Sequence, residues 1–214
     1  MFNYFKKKLY YKNHIVRLSK FKNNLPKKKN LKSKKKFFII KRDRWRGMFS
    51  NVHYVILQMI YAEKKGYSPI VDMKYFPTIY NENDKVFETY NSWEYYFKNY
   101  GNIGIDNIYK YFNYKFSDEK SVDTSRIKKN LYKEYKKKLI NLVFKKNIIN
   151  EVERFIKKKF SKGKILGVHF RGSDQKIAAL HPFPPTLKQM FELTDKIMKK
   201  KEYKYIFLVT EEED

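Results

Sequence analysis

The stretch Gly167-Val-His-Phe-Arg-Gly-Ser-Asp-Gln-Lys176 concentrates the side chains best suited to chemistry. An apolar run empties there into a loop carrying Arg171, Ser173, Asp174 and Lys176. Arginine presents a planar fork of donors that matches phosphate oxygens, and lysine adds a compact positive charge. Gly172 removes the Cβ that would keep a ligand off the backbone. Ser173 can donate a hydrogen bond, and Asp174 can orient the arginine or cap the loop. At the carboxyl end of a strand, such a set suits a diphosphate leaving group. The same residues also fit an ordinary charged loop after a buried strand.

Four passages must position this loop. Phe37-Phe-Ile-Ile40 reads as a buried strand, and Phe49 to Lys65 carries apolar residues on one helical face. Gly66 supplies a helix stop, and Tyr67 to Met73 reads as a second strand. Strand, helix, glycine and strand in so short a span predict a βαβ unit with a parallel sheet. Residues 74–116 are aromatic and turn-rich, with a short helix expected in Asn91-Ser-Trp-Glu-Tyr-Tyr-Phe97. Residues 124–160 read as a helical pair covering a sheet. A second βαβ-like passage follows: a strand over Lys164–Phe170, a loop to Pro185, a helix over Leu187–Lys200 and a strand over Lys204–Thr210. The expected class is α/β, with a basic arm over 1–35, an α/β domain with a helical hinge over 36–160, and the start of a second domain over 161–214. Because the chain stops just after a strand end, where ligands of open α/β sheets bind, the second domain is expected to be incomplete.

Composition bounds the function. The 214 residues include 42% hydrophobic and 18% aromatic side chains, enough for a sizeable core. There is no cysteine, which excludes disulfides, thiolate metal sites and a cysteine nucleophile. Neither a secretory leader nor a spanning apolar run is read, so a cytoplasmic protein is expected. The net charge is +27, of which residues 1–46 supply +17 from 18 Lys/Arg and the single acid Asp43. Such an arm can hold the protein at the anionic inner face of a membrane, or bind acidic glycan or nucleic acid. No RNA-binding or zinc-finger signature accompanies it, and no specific nucleic-acid partner is expected.

Val168-His-Phe-Arg-Gly-Ser-Asp174 resembles the His-X-Arg motif of GDP-fucose-dependent fucosyltransferases, in particular the α-1,6 and nodulation fucosyltransferases. Arg46-Gly-Met-Phe-Ser-Asn51 with Gly66-Tyr-Ser-Pro-Ile-Val-Asp-Met73 resembles the opening βαβ of their first domain. Asn91-Ser-Trp-Glu-Tyr-Tyr-Phe97, with Tyr80-Asn81 ahead of it, resembles their Asn-X-Trp-Glu-Tyr-Tyr-Phe segment, and Phe207-Leu-Val-Thr-Glu211 the strand leading into their second acidic motif. The chain has Gly172 where closer α-1,6 relatives carry a second arginine. It has Gln175 where they carry lysine, with Lys176 one place on.

The resemblance implies a GT-B-like enzyme of two facing Rossmann-like domains, the first for the acceptor and the second for GDP-fucose. It implies inverting transfer to a glycan or lipid-linked saccharide, of the kind used in polysaccharide biosynthesis, with no cofactor or obligatory metal. Arg171 matches the arginine that neutralises the departing diphosphate, and His169 the motif histidine near the nucleotide. With Gly172, Ser173 and Lys176 they form the expected donor site. Asp174 and His181 are the candidate bases, although a histidine beside Pro182 also fits a structural loop. On the acceptor side, Trp93 and Glu94 can touch a sugar or pack in the core, and Arg46 beside Gly47 can line a cleft or sit on a surface loop. The acid run after Thr210 is expected to be solvated, because adjacency does not give metal-site geometry. Two other readings stand beside this one: a basic protein for nucleic acid or anionic membrane, and an inactive fragment of the transferase.

Overall fold

The computed structural model describes residues 25–29, 34–42, 46–99, 103–123, 127–160, 162–171 and 184–210. The chain divides into two compact units, Met1–Ile148 and Ile149–Asp214. Among the described residues it is a mixed α/β protein with parallel sheets of three and two strands, compatible with Rossmann-like folding.

In the first unit β1 (Lys36–Lys41) leads to α1 (Met48–Lys64) and back to β2 (Ser68–Asp72). The strands are parallel, with Ile39 opposite Ile70 and Ile40 opposite Val71. The chain then forms α2 (Trp93–Tyr96) and α3 (Ile105–Tyr111), and returns as β3 (Asn113–Phe116) on the other side of β1. The order is therefore β2-β1-β3. A strand flanked on both sides and covered on both faces must be apolar throughout, which accounts for the unbroken Phe-Phe-Ile-Ile run. Phe38 and Ile40 join Val55, Ile56, Met59 and Val71 in one core cluster. Phe37 and Ile39 join Ile70, Ile105, Ile108 and Tyr109 in the other.

Helix α1 ends where Gly66 takes φ 73°. Tyr67 N–H donates to Ala62 O at 2.9 Å and Gly66 N–H to Glu63 O at 3.0 Å, the paired bonds of a Schellman stop. A Cβ at that φ is strained even though the space around it is open. Gly66→Ala is expected to lower the unfolding free energy by about 1 kcal/mol, read from a urea melt.

The outer edge of β2 is finished by side chains. Asn99 Oδ1 accepts from Val71 N–H at 3.1 Å, and Asn91 Nδ2 donates to Val71 O at 2.8 Å. Asn91 Oδ1 accepts from Met73 N–H at 3.0 Å. Two amides thus stand in for the missing neighbour strand, which blunts an edge otherwise open to pairing.

The expected helical stretch 124–160 resolves, among the described residues, into α4 (Tyr132–Ile140) and α5 (Lys146–Lys159). The break comes where Phe144 pairs with Phe97 in an isolated bridge, with Lys145 N–H on Tyr96 O at 2.9 Å. Leu131, Tyr135 and Leu142 pack on the α1 cluster, while His53 Nδ1 and the Tyr135 hydroxyl lie 3.0 Å apart and tie α4 to α1. The boundary between the two compact units falls inside α5. The physical reason is aromatic: Phe155 and Phe160 pack edge-on against Phe207, and Phe160 against Tyr205.

The second unit pairs β4 (Lys164–Phe170) with β5 (Tyr203–Thr210) in parallel, joined through α6 (Leu187–Lys201). Thr186 and Gln189 form a capping box that starts α6. Among the described residues no helix is long and apolar enough to cross a membrane.

Candidate functional site

Arg171 is the first residue beyond β4. Register places His169 opposite Val209 and Phe170 opposite Thr210, so Arg171 leaves the sheet at the carboxyl ends of two parallel strands. Phe170 is 4% exposed and anchors this strand end, while Arg171 is half-buried and His169 is exposed. At Gly167 a Cβ would meet nothing within 4 Å, so the middle of β4 does not require its glycine on steric grounds. Gly172, Ser173, Asp174, Lys176 and His181 lie outside the described residues.

The acceptor-side candidates fall in three different settings. Arg46 is exposed just ahead of Gly47, which caps α1, and its carbonyl accepts from Asn51 Nδ2 at 3.3 Å. Trp93 is 2% exposed, inside the first core cluster, with its ring 4.4 Å from that of Phe97. From there the indole has no surface for a sugar. Glu94 is half-buried with both oxygens engaged: Oε2 accepts from Thr89 Oγ1 at 2.8 Å and Oε1 from Asn99 Nδ2 at 2.7 Å. Its carboxylate braces the loop and does not point to a ligand.

The strand order exposes a feature the sequence reading missed. Because β2 and β3 lie on opposite sides of β1, the switch point of the first sheet lies beyond the carboxyl ends of β1 and β3, where open α/β sheets bind ligands. Arg42, 6% exposed, sits there with its guanidinium 4.4 Å over the Tyr54 ring and Nη2 3.4 Å from Ser50 Oγ. The Tyr54 hydroxyl donates to Ser117 Oγ at 3.2 Å, and Ser117 Oγ also accepts from Lys41 N–H at 3.0 Å. Burial raises the Tyr54 phenol above its ordinary range, so it stays a neutral donor. Asn51 is 1% exposed, and its Oδ1 has no hydrogen-bond partner among the described residues. The first turn of α1 holds no acid and no side-chain cap. The positive end of α1 lies near Arg42, whose guanidinium is packed on Tyr54 and beside Ser50. In the sequence, only the βαβ pattern hinted at this switch point; the return of β3 beside β1 was the missing fact.

At the end of β2, Asp72 is fully buried. Its Oδ1 accepts from the Lys74 and Tyr75 N–H groups, each at 2.9 Å, and its Oδ2 from the Tyr109 hydroxyl at 2.5 Å. Desolvation pushes its carboxyl up to about 6, against the pull of those donors and of Lys74. Asp106 lies close by and receives Lys74 Nζ at 2.7 and 2.8 Å and the Tyr75 hydroxyl at 2.8 Å. Burial pulls its carboxyl up, but the Lys74 and Tyr75 bonds prevail and hold it below its usual range. Every carboxylate oxygen here is engaged, so the cluster holds the turn 72–75 against α3.

No protein-family model matches the chain, and no curated protein matches it.

Proposed function

We propose that the protein is an inverting glycosyltransferase of the GT-B-like class, moving fucose or a related sugar from a GDP-sugar to a glycan or lipid-linked acceptor. The observation that carries this reading is the emergence of Arg171 at the carboxyl edge of the β4–β5 sheet, directly after buried Phe170. In the reaction an acceptor oxygen attacks the anomeric carbon, the carbon–oxygen bond to GDP breaks, and GDP leaves with the electron pair. The acceptor proton passes to Asp174 or His181. Negative charge grows on the diphosphate as that bond breaks, and a guanidinium held beside it acts mostly in the transition state. The first unit serves the acceptor. The basic residues ahead of β1 favour work at the inner, anionic face of a membrane.

Calorimetric titration of the full chain with GDP tests the donor site. One-to-one binding in the micromolar range is expected, with transfer from GDP-fucose unchanged by a metal chelator. Such binding refutes the inactive-fragment reading; a chain that takes up no GDP refutes a working donor site in this chain and leaves the fragment reading, and transfer abolished by the chelator refutes the metal-free step.

A further inference from the structure

Between β2 and α2 the chain makes a turn that its residues do not favour. Val86 N–H donates to Thr89 O at 3.0 Å and Thr89 N–H to Val86 O at 3.2 Å, which leaves Phe87 and Glu88 as a two-residue loop. Both are left-handed, with φ 49° and 65°. Loops of this kind are normally Asn-Gly or Asp-Gly, and neither a phenylalanine nor a glutamate relieves the clash of Cβ with the backbone. Strain of this sort persists only where the surroundings impose it.

The surroundings do impose it. Thr89 Oγ1 donates to Glu94 Oε2 at 2.8 Å and accepts from Asn91 N–H at 3.0 Å. Asn81 Nδ2 donates to Tyr90 O at 2.8 Å, and Asn99 Nδ2 holds the other oxygen of Glu94. The base of the turn is thereby tied to buried Asn81, Asn91 and Ser92, beyond the carboxyl end of β2. At its tip Phe87 is 44% exposed.

We propose that Phe87 is an aromatic platform on which a sugar ring of the acceptor stacks; this rests on the transferase reading and names a substrate contact for it. A pyranose has an apolar face of C–H groups that suits a phenyl ring, and hydroxyls that need polar neighbours. Exposed Asn83, Asp84, Lys85 and Glu88 surround Phe87 in sequence and supply them. The same neighbours argue against a protein partner, whose interface core is depleted in charge. Glu94 is then a positioning residue: it holds Thr89 and through it the turn.

Saturation-transfer NMR on the full chain, with neutral tetrasaccharides of glucose, N-acetylglucosamine and mannose as probes, tests the platform. At least one probe is expected to bind the native chain, about tenfold more weakly to Phe87→Ala, and normally to Phe87→Tyr. Phe87→Gly, which suits a left-handed backbone, is expected to lose the sugar while its Tm rises by about 2–4 °C. That combination separates a functional ring from a merely structural one. No binding of any tetrasaccharide, or equal binding by Phe87→Ala, overturns the platform. GDP binding measured on the same samples fails or holds independently, so loss of the donor reading is distinguishable from loss of this one.

Discussion

Arg171→Ala is expected to slow sugar transfer by roughly 10²–10³-fold, about 3–4 kcal/mol of transition-state stabilisation, with a smaller effect on the KM for the GDP-sugar. The split follows from when charge appears. The ground-state diphosphate is already anionic, but the bridging oxygen gains its charge only as the anomeric bond breaks. A guanidinium that responds to that gain therefore lowers the barrier more than it tightens binding. Position makes the expectation specific. Phe170 is buried and paired opposite Thr210, so the backbone that delivers Arg171 is fixed by the sheet. Arg171→Lys keeps the charge but loses the bidentate fork, and recovery of only part of the rate is expected. Steady-state transfer from radiolabelled GDP-fucose measures it. Turnover within a few-fold of native in the alanine variant would remove the arginine from the chemistry and the main support from the transferase reading.

Legibility in the sequence followed the strength of local pattern. β1, α1 and β2 were readable because a buried strand, a one-faced helix and a glycine stop each leave a periodic mark, and the structure places them within a residue or two of expectation. β4, α6 and β5 were readable for the same reason. β3 was not. Four residues, Asn-Tyr-Lys-Phe, on a half-buried edge carry too little alternation to separate them from a turn-rich stretch. Helix α3 was lost in the same aromatic background. That loss hid the switch point beyond Arg42, which exists only once β3 returns beside β1. At the site level, a residue's type showed what it can do, and packing decided where it does it. Trp93 and Glu94 have sugar-binding chemistry, yet one is sealed in the core and the other is saturated by Thr89 and Asn99. Phe87 has no such signature in sequence, because its left-handed backbone is a property of the turn around it.

Asp72→Ala is expected to cost about 3 kcal/mol or more of stability, because it strands two backbone N–H groups and the Tyr109 hydroxyl in the core. Asp72→Asn is the more informative change. Its amide oxygen still accepts from Lys74 and Tyr75, its amide nitrogen can donate to the Tyr109 oxygen, and it has no proton to lose. For the native chain, burial holds the folded carboxyl at about 6, above the ordinary value near 3.9. The folded state then binds the proton more tightly than the unfolded state between those values. Stability from this group is fully present below about pH 4, falls as pH rises toward 6 and is flat above, by at most about 3 kcal/mol. Asp106 acts with the opposite sign at lower pH: its folded carboxyl is depressed, so its contribution is lost as pH falls through that depressed value. Urea unfolding at pH 4, 5, 6 and 7 reads the balance. Native protein should lose stability between pH 4 and 6 and level off toward pH 7, and Asp72→Asn should show a flatter profile. Equal slopes in the two proteins would mean that Asp72 is ionised throughout, its three donors outweighing the burial that opposes its charge.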